Sequence, residues 1–131
     1  MIVDTSALVA ILLGEPEAAL FTNIIANADV CRVSVVSRVE LAMVQARLAG
    51  PDAPRQAELY MLQAGIIEEP VTLQQGVLAR NAFYDFGRGR HPAKLNFGDC
   101  FAYALAKALR EPLLFKGSDF AQTDVIPAYQ P

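Results

Sequence analysis

The sequence predicts an α/β domain in which a short, largely parallel sheet is flanked by helices on both faces, in three layers. Three observations predict it. Short apolar or alternating runs take turns along the chain with longer helical stretches, the pattern of strand–helix–strand units. The chain is 131 residues long, the length of a single domain, expected here to span 1–131. Hydrophobic residues make up 53% and charged residues 19%, too apolar for a disordered segment and sufficient for a core that needs no disulfide or structural metal.

Each element has a local reason. Met1–Val3 is a short apolar run, and the polar Asp4-Thr5-Ser6 ends it as a strand. Ala7–Leu13 reads as a buried helical stretch closed by Gly14. Glu15-Pro16-Glu17 then carries the proline and acids of a helix start, with Leu20, Phe21, Ile24 and Ile25 on the apolar face. Val30–Val35 alternates as a strand, Ser37–Leu48 is helical, and Gly50-Pro51-Asp52 turns the chain into a helix over Arg55–Ala64. Ile66–Val71 is the next strand, interrupted by Pro70, and a long helix covers Leu73–Phe86. Gly87 to Pro92 forms a glycine-rich basic loop before a helix over Phe97–Leu109. Leu113–Phe115 gives a short strand, Lys116–Asp124 a polar turn and Val125–Ile126 a final strand.

Ala7–Leu13, the longest apolar run near the N-terminus, is seven residues, where a spanning helix needs about 20. No basic stretch precedes Asp4, so no secretory signal is expected. A soluble, cytoplasmic protein without membrane contact is the expectation. Cys31 and Cys100 have no C-x-x-C spacing and read as small buried apolar residues.

Four acids fall at element junctions. Asp4 follows the first strand, Glu40 lies in the helix after the second, Asp99 opens the helix after the basic loop, and Asp119 follows the Leu113–Phe115 strand. In a parallel sheet the ligand site lies beyond the carboxyl ends of the strands. Helix starts attract acids for capping alone: Ser37-Arg38-Val39-Glu40 has the S-x-x-E form, and Asn96 stands three residues before Asp99. The flanks of Asp4 and Asp99 are nevertheless apolar, which places carboxylates at the edge of a core. Clustered, desolvated carboxylates raise one another's pKa, and a divalent cation relieves both costs. All-oxygen ligation without Cys or His points to Mg²⁺ or Mn²⁺, one ion or two.

Met1-Ile2-Val3-Asp4-Thr5-Ser6-Ala7-Leu8, Val39-Glu40-Leu41, Leu95-Asn96-Phe97-Gly98-Asp99-Cys100 and Leu114-Phe115-Lys116-Gly117-Ser118-Asp119-Phe120 are similar to the motifs of the PIN-domain family. In length and motif order the chain resembles its VapC-type toxin ribonucleases, from residue 1 to about Asp124. The resemblance implies a PIN-like fold and a Mg²⁺- or Mn²⁺-dependent endoribonuclease, typically dimeric and inhibited by a VapB-type antitoxin. It also carries Asp4, Glu40, Asp99 and Asp119 over as the catalytic, metal-binding acids. Ser6 matches a hydroxyl that supports the first acid, Asn96 is a further supporting residue, and Asp124 competes with Asp119 for the fourth carboxylate or lies just behind it.

Phosphodiester hydrolysis needs an activated water and relief of charge on the leaving oxygen, which metal ions held by carboxylates supply. Arg88, Arg90, Lys94 and Lys116 are candidates to contact the RNA backbone without reading sequence. His91, the only histidine, is a loop residue before it is a general base, and Phe83, Tyr84 and Phe86 are packing residues before they are base-stacking ones. The helices Glu15–Ala26 and Arg38–Leu48 are expected to supply a dimer face or antitoxin groove. Two other readings compete: a catalytically silent PIN-like module that binds an antitoxin-like partner or RNA, and a receiver or aspartate-nucleophile phosphatase. The latter wants a second Asp two residues after Asp4, where Ser6 stands. The net charge of −3 is no objection to RNA, because setting the four site acids aside leaves ten acids against eleven bases.

Overall fold

Four very short strands form the sheet of this computed structural model, which describes residues 1–130; Pro131, the end of the expected domain, lies outside the described residues. The strands are β1 (Ile2–Val3), β2 (Arg32–Ser34), β3 (Ile67–Glu69) and β4 (Leu113–Leu114), all paired in parallel in the order β3-β2-β1-β4. Ile2 faces Arg32 on one side and Leu113 on the other.

Parallel strands need helical crossovers, and six helices among the described residues provide them: α1 (Thr5–Leu12), α2 (Ala18–Asn27), α3 (Val35–Ala49), α4 (Ala53–Gln63), α5 (Leu73–Phe86) and α6 (Phe97–Leu109). Strand alternation sends successive side chains to opposite faces. Ile2 and Leu113 accordingly join the core beneath α5 and α6. Val3, Val33 and Leu114 join a second core, with Leu8, Phe21, Leu41 and Met61 of α1 to α4. The result is the expected three-layer α/β/α domain. Both cysteines are free and buried, as expected. No helix among the described residues is long and apolar enough to cross a membrane.

Two expectations need correction. Helix α3 starts at Val35, with Ser34 as its N-cap accepting the Val36 N–H at 3.2 Å. Val35 and Val36 read as strand because they are β-branched, yet they form the first turn. The Ser37-x-x-Glu40 pattern is therefore no capping box, and Ser37 sits inside the helix, its hydroxyl buried without a hydrogen-bond partner. Ser37→Ala removes an unpaired polar atom and improves helix propensity. Its melting temperature should match or exceed the wild type's, and a clear drop would show that the hydroxyl has a use. The second correction is at the end of the chain: Val125–Ile126 forms no strand, only an isolated bridge between Leu113 and Pro127. Pro127 has no N–H with which to extend the ladder.

The two ends of the sheet differ in charge pairing. At the amino end Arg32 binds Glu69 and Glu111, each at 3.0 Å. At the carboxyl end the strand order reverses beside β1, since β2 lies on one side and β4 on the other. Such a switch point opens a crevice.

Candidate metal-binding active site

Asp4 leaves β1 at that crevice and caps α1. Its Oδ2 accepts the Ser6 N–H at 2.9 Å and the Ser6 hydroxyl at 2.6 Å. The same hydroxyl accepts the Lys116 N–H at 3.0 Å, so the residue after β1 and the loop after β4 are locked together through Ser6. The other oxygen, Oδ1, is buried with no partner among the described residues. Asp4 is only 2% exposed, and burial pushes its carboxyl from 3.8 to about 6 against the two Ser6 hydrogen bonds, with the Glu40 charge adding to the rise.

Asp99 is the third residue of α6. Asn96 accepts the Asp99 N–H at 2.9 Å, and Asp99 Oδ2 accepts the Asn96 N–H at 3.0 Å, a reciprocal capping box. Capping and clustering coincide here. Burial raises the Asp99 carboxyl to about 7, followed by the charge of Asp4 and, more weakly, those of Glu40 and Asp119. Glu40, in the second turn of α3, lays its carboxylate over Gly98, where a methyl group would collide with both oxygens. Gly98 is thus a site residue the sequence reading missed; its signal was a glycine within the first turn of a helix, directly before Asp99. Asp119 is exposed and heads a 3-10 turn, Phe120–Gln122.

Asp124 is placed differently. It accepts from the Tyr103 hydroxyl at 2.7 Å and from Lys107 at 2.9 Å, one and two turns further along α6 than Asp99. The Asp119 charge acts on Asp99, and that of Asp124 is not among its perturbers.

Among the described residues, none of Asp4, Glu40, Asp99 and Asp119 forms an ion pair, and no three His, Cys, Asp or Glu side chains are arranged to hold a metal ion as they stand. The donor set still fits a hard divalent cation. It is all oxygen, it includes an orphaned buried carboxylate oxygen, and it holds two carboxyls whose ionisation is opposed by burial and by neighbouring acids. Glu40 and Asp119 accept no side-chain hydrogen bond among the described residues, whereas Ser6 and Asn96 hold Asp4 and Asp99.

The basic residues divide. Lys116 binds Glu15 and Glu17 with its ammonium, so its charge is already matched. Arg90 donates to the Tyr84 carbonyl at 3.3 Å and lies over the Phe83 and Tyr84 rings. Arg88 and Lys94 are exposed. His91 accepts the Ala93 N–H through Nδ1 at 3.0 Å and packs edge-on against Phe86, holding the loop's shape.

Comparison with known proteins bears on the whole chain. The PIN domain family profile matches residues 1–126. Ribonuclease VapC28 of Mycobacterium tuberculosis is 51% identical over 126 residues, covering 95% of each chain. Ribonuclease VapC of Mycolicibacterium smegmatis is 45% identical over 125 residues, covering 95% of this chain and 97% of that one. Among solved structures, VapC20 of Mycobacterium tuberculosis, described as a sarcin-ricin loop cleaving toxin, superposes with a TM-score of 0.80 at 20% identity, covering 99% of this chain and 98% of that one. A chain of a toxin-antitoxin complex from Klebsiella pneumoniae does so at 0.72 and 17%, with the same coverage. Those two share the fold; the curated relatives align with the sequence over 95% of the chain. With its four acidic motifs in order on this α/β/α scaffold, the chain belongs to the PIN-domain family, among its VapC ribonucleases.

Proposed function

We propose that this chain is a Mg²⁺- or Mn²⁺-dependent endoribonuclease, the toxin of a toxin–antitoxin pair, which hydrolyses RNA phosphodiesters at Asp4, Glu40, Asp99 and Asp119. The observation that carries the reading is the unpaired acid cluster at the switch point, with Asp4 Oδ1 buried and unpartnered. An acid cluster this poorly neutralised costs stability, and a protein of this size retains such a cost where a ligand repays it. The curated relatives' name, ribonuclease, supports RNA as the substrate.

Asp4 and Asp99 are the residues to hold the ion, one or two being compatible with the donor set. Ser6 fixes the direction of Asp4, and Asn96 fixes that of Asp99. When bound, the cation supplies the Lewis acidity that phosphodiester hydrolysis needs. Glu40, standing over the first turn of α6, accepts a hydrogen bond from the attacking water and orients it. Asp119, open to solvent, completes the cluster as substrate arrives. Arg88 and Lys94 face the RNA backbone. In this reading the partners are the RNA, a VapB-type antitoxin and a second copy of the chain, all in the cytoplasm. Helix α3 exposes Val39 and Met43, one turn apart on one face, an apolar spot suited to either protein partner.

The test is incubation of the purified chain, free of antitoxin, with structured RNA in Mg²⁺ or Mn²⁺ and in EDTA. Cleavage that requires the divalent ion is expected. Equal cleavage in EDTA would overturn the metal-carboxylate mechanism, and no cleavage of any RNA would overturn the nuclease. Growth arrest on expression, relieved by the gene encoded beside it, is the expected sign of the toxin role.

A further inference from the structure

We propose that the groove between α5 and α6 is a nucleobase pocket, which receives one unpaired RNA base next to the bond to be cut. The inference rests on the nuclease reading and deepens it by naming what the site recognises. The groove measures about 550 Å³ and runs along α5 from Gly76 to Tyr84, reaching Asn96 and Phe97 at the start of α6, the size of a small-molecule pocket. Phe97 is the first residue of α6 and is 75% exposed. Its one aromatic contact among the described residues is a T-shaped one with Phe101, ring centres 5.0 Å apart, and most of the ring is left to solvent. Across the groove stand Phe83 and Tyr84, 42% and 57% exposed.

Core packing does not account for this arrangement, because a helix that only needed to begin would take a polar residue at the position of Phe97. The charge around the groove selects the occupant. Arg80 and Arg88 line it, no acidic side chain among the described residues does, and Arg90 holds the Phe83 and Tyr84 rings from 5.4 and 5.6 Å. Aromatic faces within a cationic rim suit a base attached to a phosphate. The placement suits the chemistry as well: Asn96, at the groove's end, caps the helix turn that carries Asp99. Phe97 stands two residues before Asp99, a rise of about 3 Å along α6, so a base seated on it lies at the same end of that helix as the acid cluster. Unpaired bases fit and stacked duplex does not, so the pocket steers cleavage toward loops and single strands.

The test uses a single-stranded RNA decamer with one 2-aminopurine moved position by position, and Ca²⁺ in place of Mg²⁺ to slow cleavage. Wild type, Phe97→Ala, Phe97→Trp and Tyr84→Ala are titrated in parallel, with Mn²⁺ cleavage, melting temperature and light scattering as companion measurements. Quenching at one position by wild type and Phe97→Trp is expected. Binding about tenfold weaker, with that quench lost, is expected for Phe97→Ala and Tyr84→Ala at unchanged melting temperature. If wild type cleaves the decamer while the alanine variants bind it equally well, the pocket is overturned and the nuclease reading stands. If the alanine variants turn a dimer into a monomer, the groove is an interface between two copies and the pocket is overturned. Absence of binding and cleavage for every RNA would remove the nuclease reading and this inference with it.

Discussion

Asp99→Asn is expected to lower RNA cleavage at least about a hundredfold, given that residues merely bonded to metal ligands already cost 10–100-fold, and yet to stabilise the metal-free protein at neutral pH. The second half follows from the sign of the pKa shift. Burial and the neighbouring acids raise the Asp99 carboxyl from 3.8 to about 7 in the folded chain. The folded state then binds more protons than the unfolded state between those values. Stability falls as pH rises from about 4 to 7, by an amount set by the shift at ~1.4 kcal/mol per unit. An amide keeps the hydrogen bond to Asn96 and carries no charge. The melting temperature of Asp99→Asn in EDTA should therefore exceed the wild type's by several degrees at pH 7.5 and match it near pH 4. Asp4→Asn should behave alike, over a window ending near pH 6. A variant that loses activity because it unfolds would show the opposite thermal trend at neutral pH.

Gly98→Ala is the other large effect, and it separates site from fold. Alanine in a helix is favoured over glycine by about 1 kcal/mol, so propensity predicts a more stable protein. The added methyl, however, enters the space of the Glu40 carboxylate, a side chain flexible enough to swing away. Expected is an unchanged or raised melting temperature with cleavage reduced by at least about tenfold. A double-mutant cycle makes the cause visible: once Glu40→Ala has removed the carboxylate, Gly98→Ala should have little further effect on cleavage. Full additivity would show that Gly98 acts on something other than Glu40.

The features that sequence made legible are those governed by local rules. Helices α5 and α6 occupy the spans expected from periodicity, because Thr72 and Asn96 cap their starts and Gly87 follows the end of α5. The Asn96–Asp99 box needed only a spacing of three. Local rules failed where two of them competed. Val35 and Val36 have strand propensity, but Ser34 caps a helix in front of them, and tertiary packing of Leu41 decides the outcome. Contacts between distant residues were out of reach. Nothing near Lys116 announces that Glu15 and Glu17 neutralise it, nor does anything near Asp124 announce its bonds to Tyr103 and Lys107. The close approach of Glu40 to Gly98 joins segments 58 residues apart and exists only once α3 and α6 pack.

The central claim, that these carboxylates form a divalent-cation site, is tested most directly by calorimetric titration of the purified protein with Mn²⁺ at pH 6.5 in two buffers of different ionisation heat. A carboxyl raised to about 7 is mostly protonated there and one raised to about 6 partly so, so binding must expel protons. The account predicts saturable binding with proton release, both abolished or sharply reduced in Asp99→Asn. Absence of binding, or binding without proton release that is the same in Asp99→Asn, would contradict it.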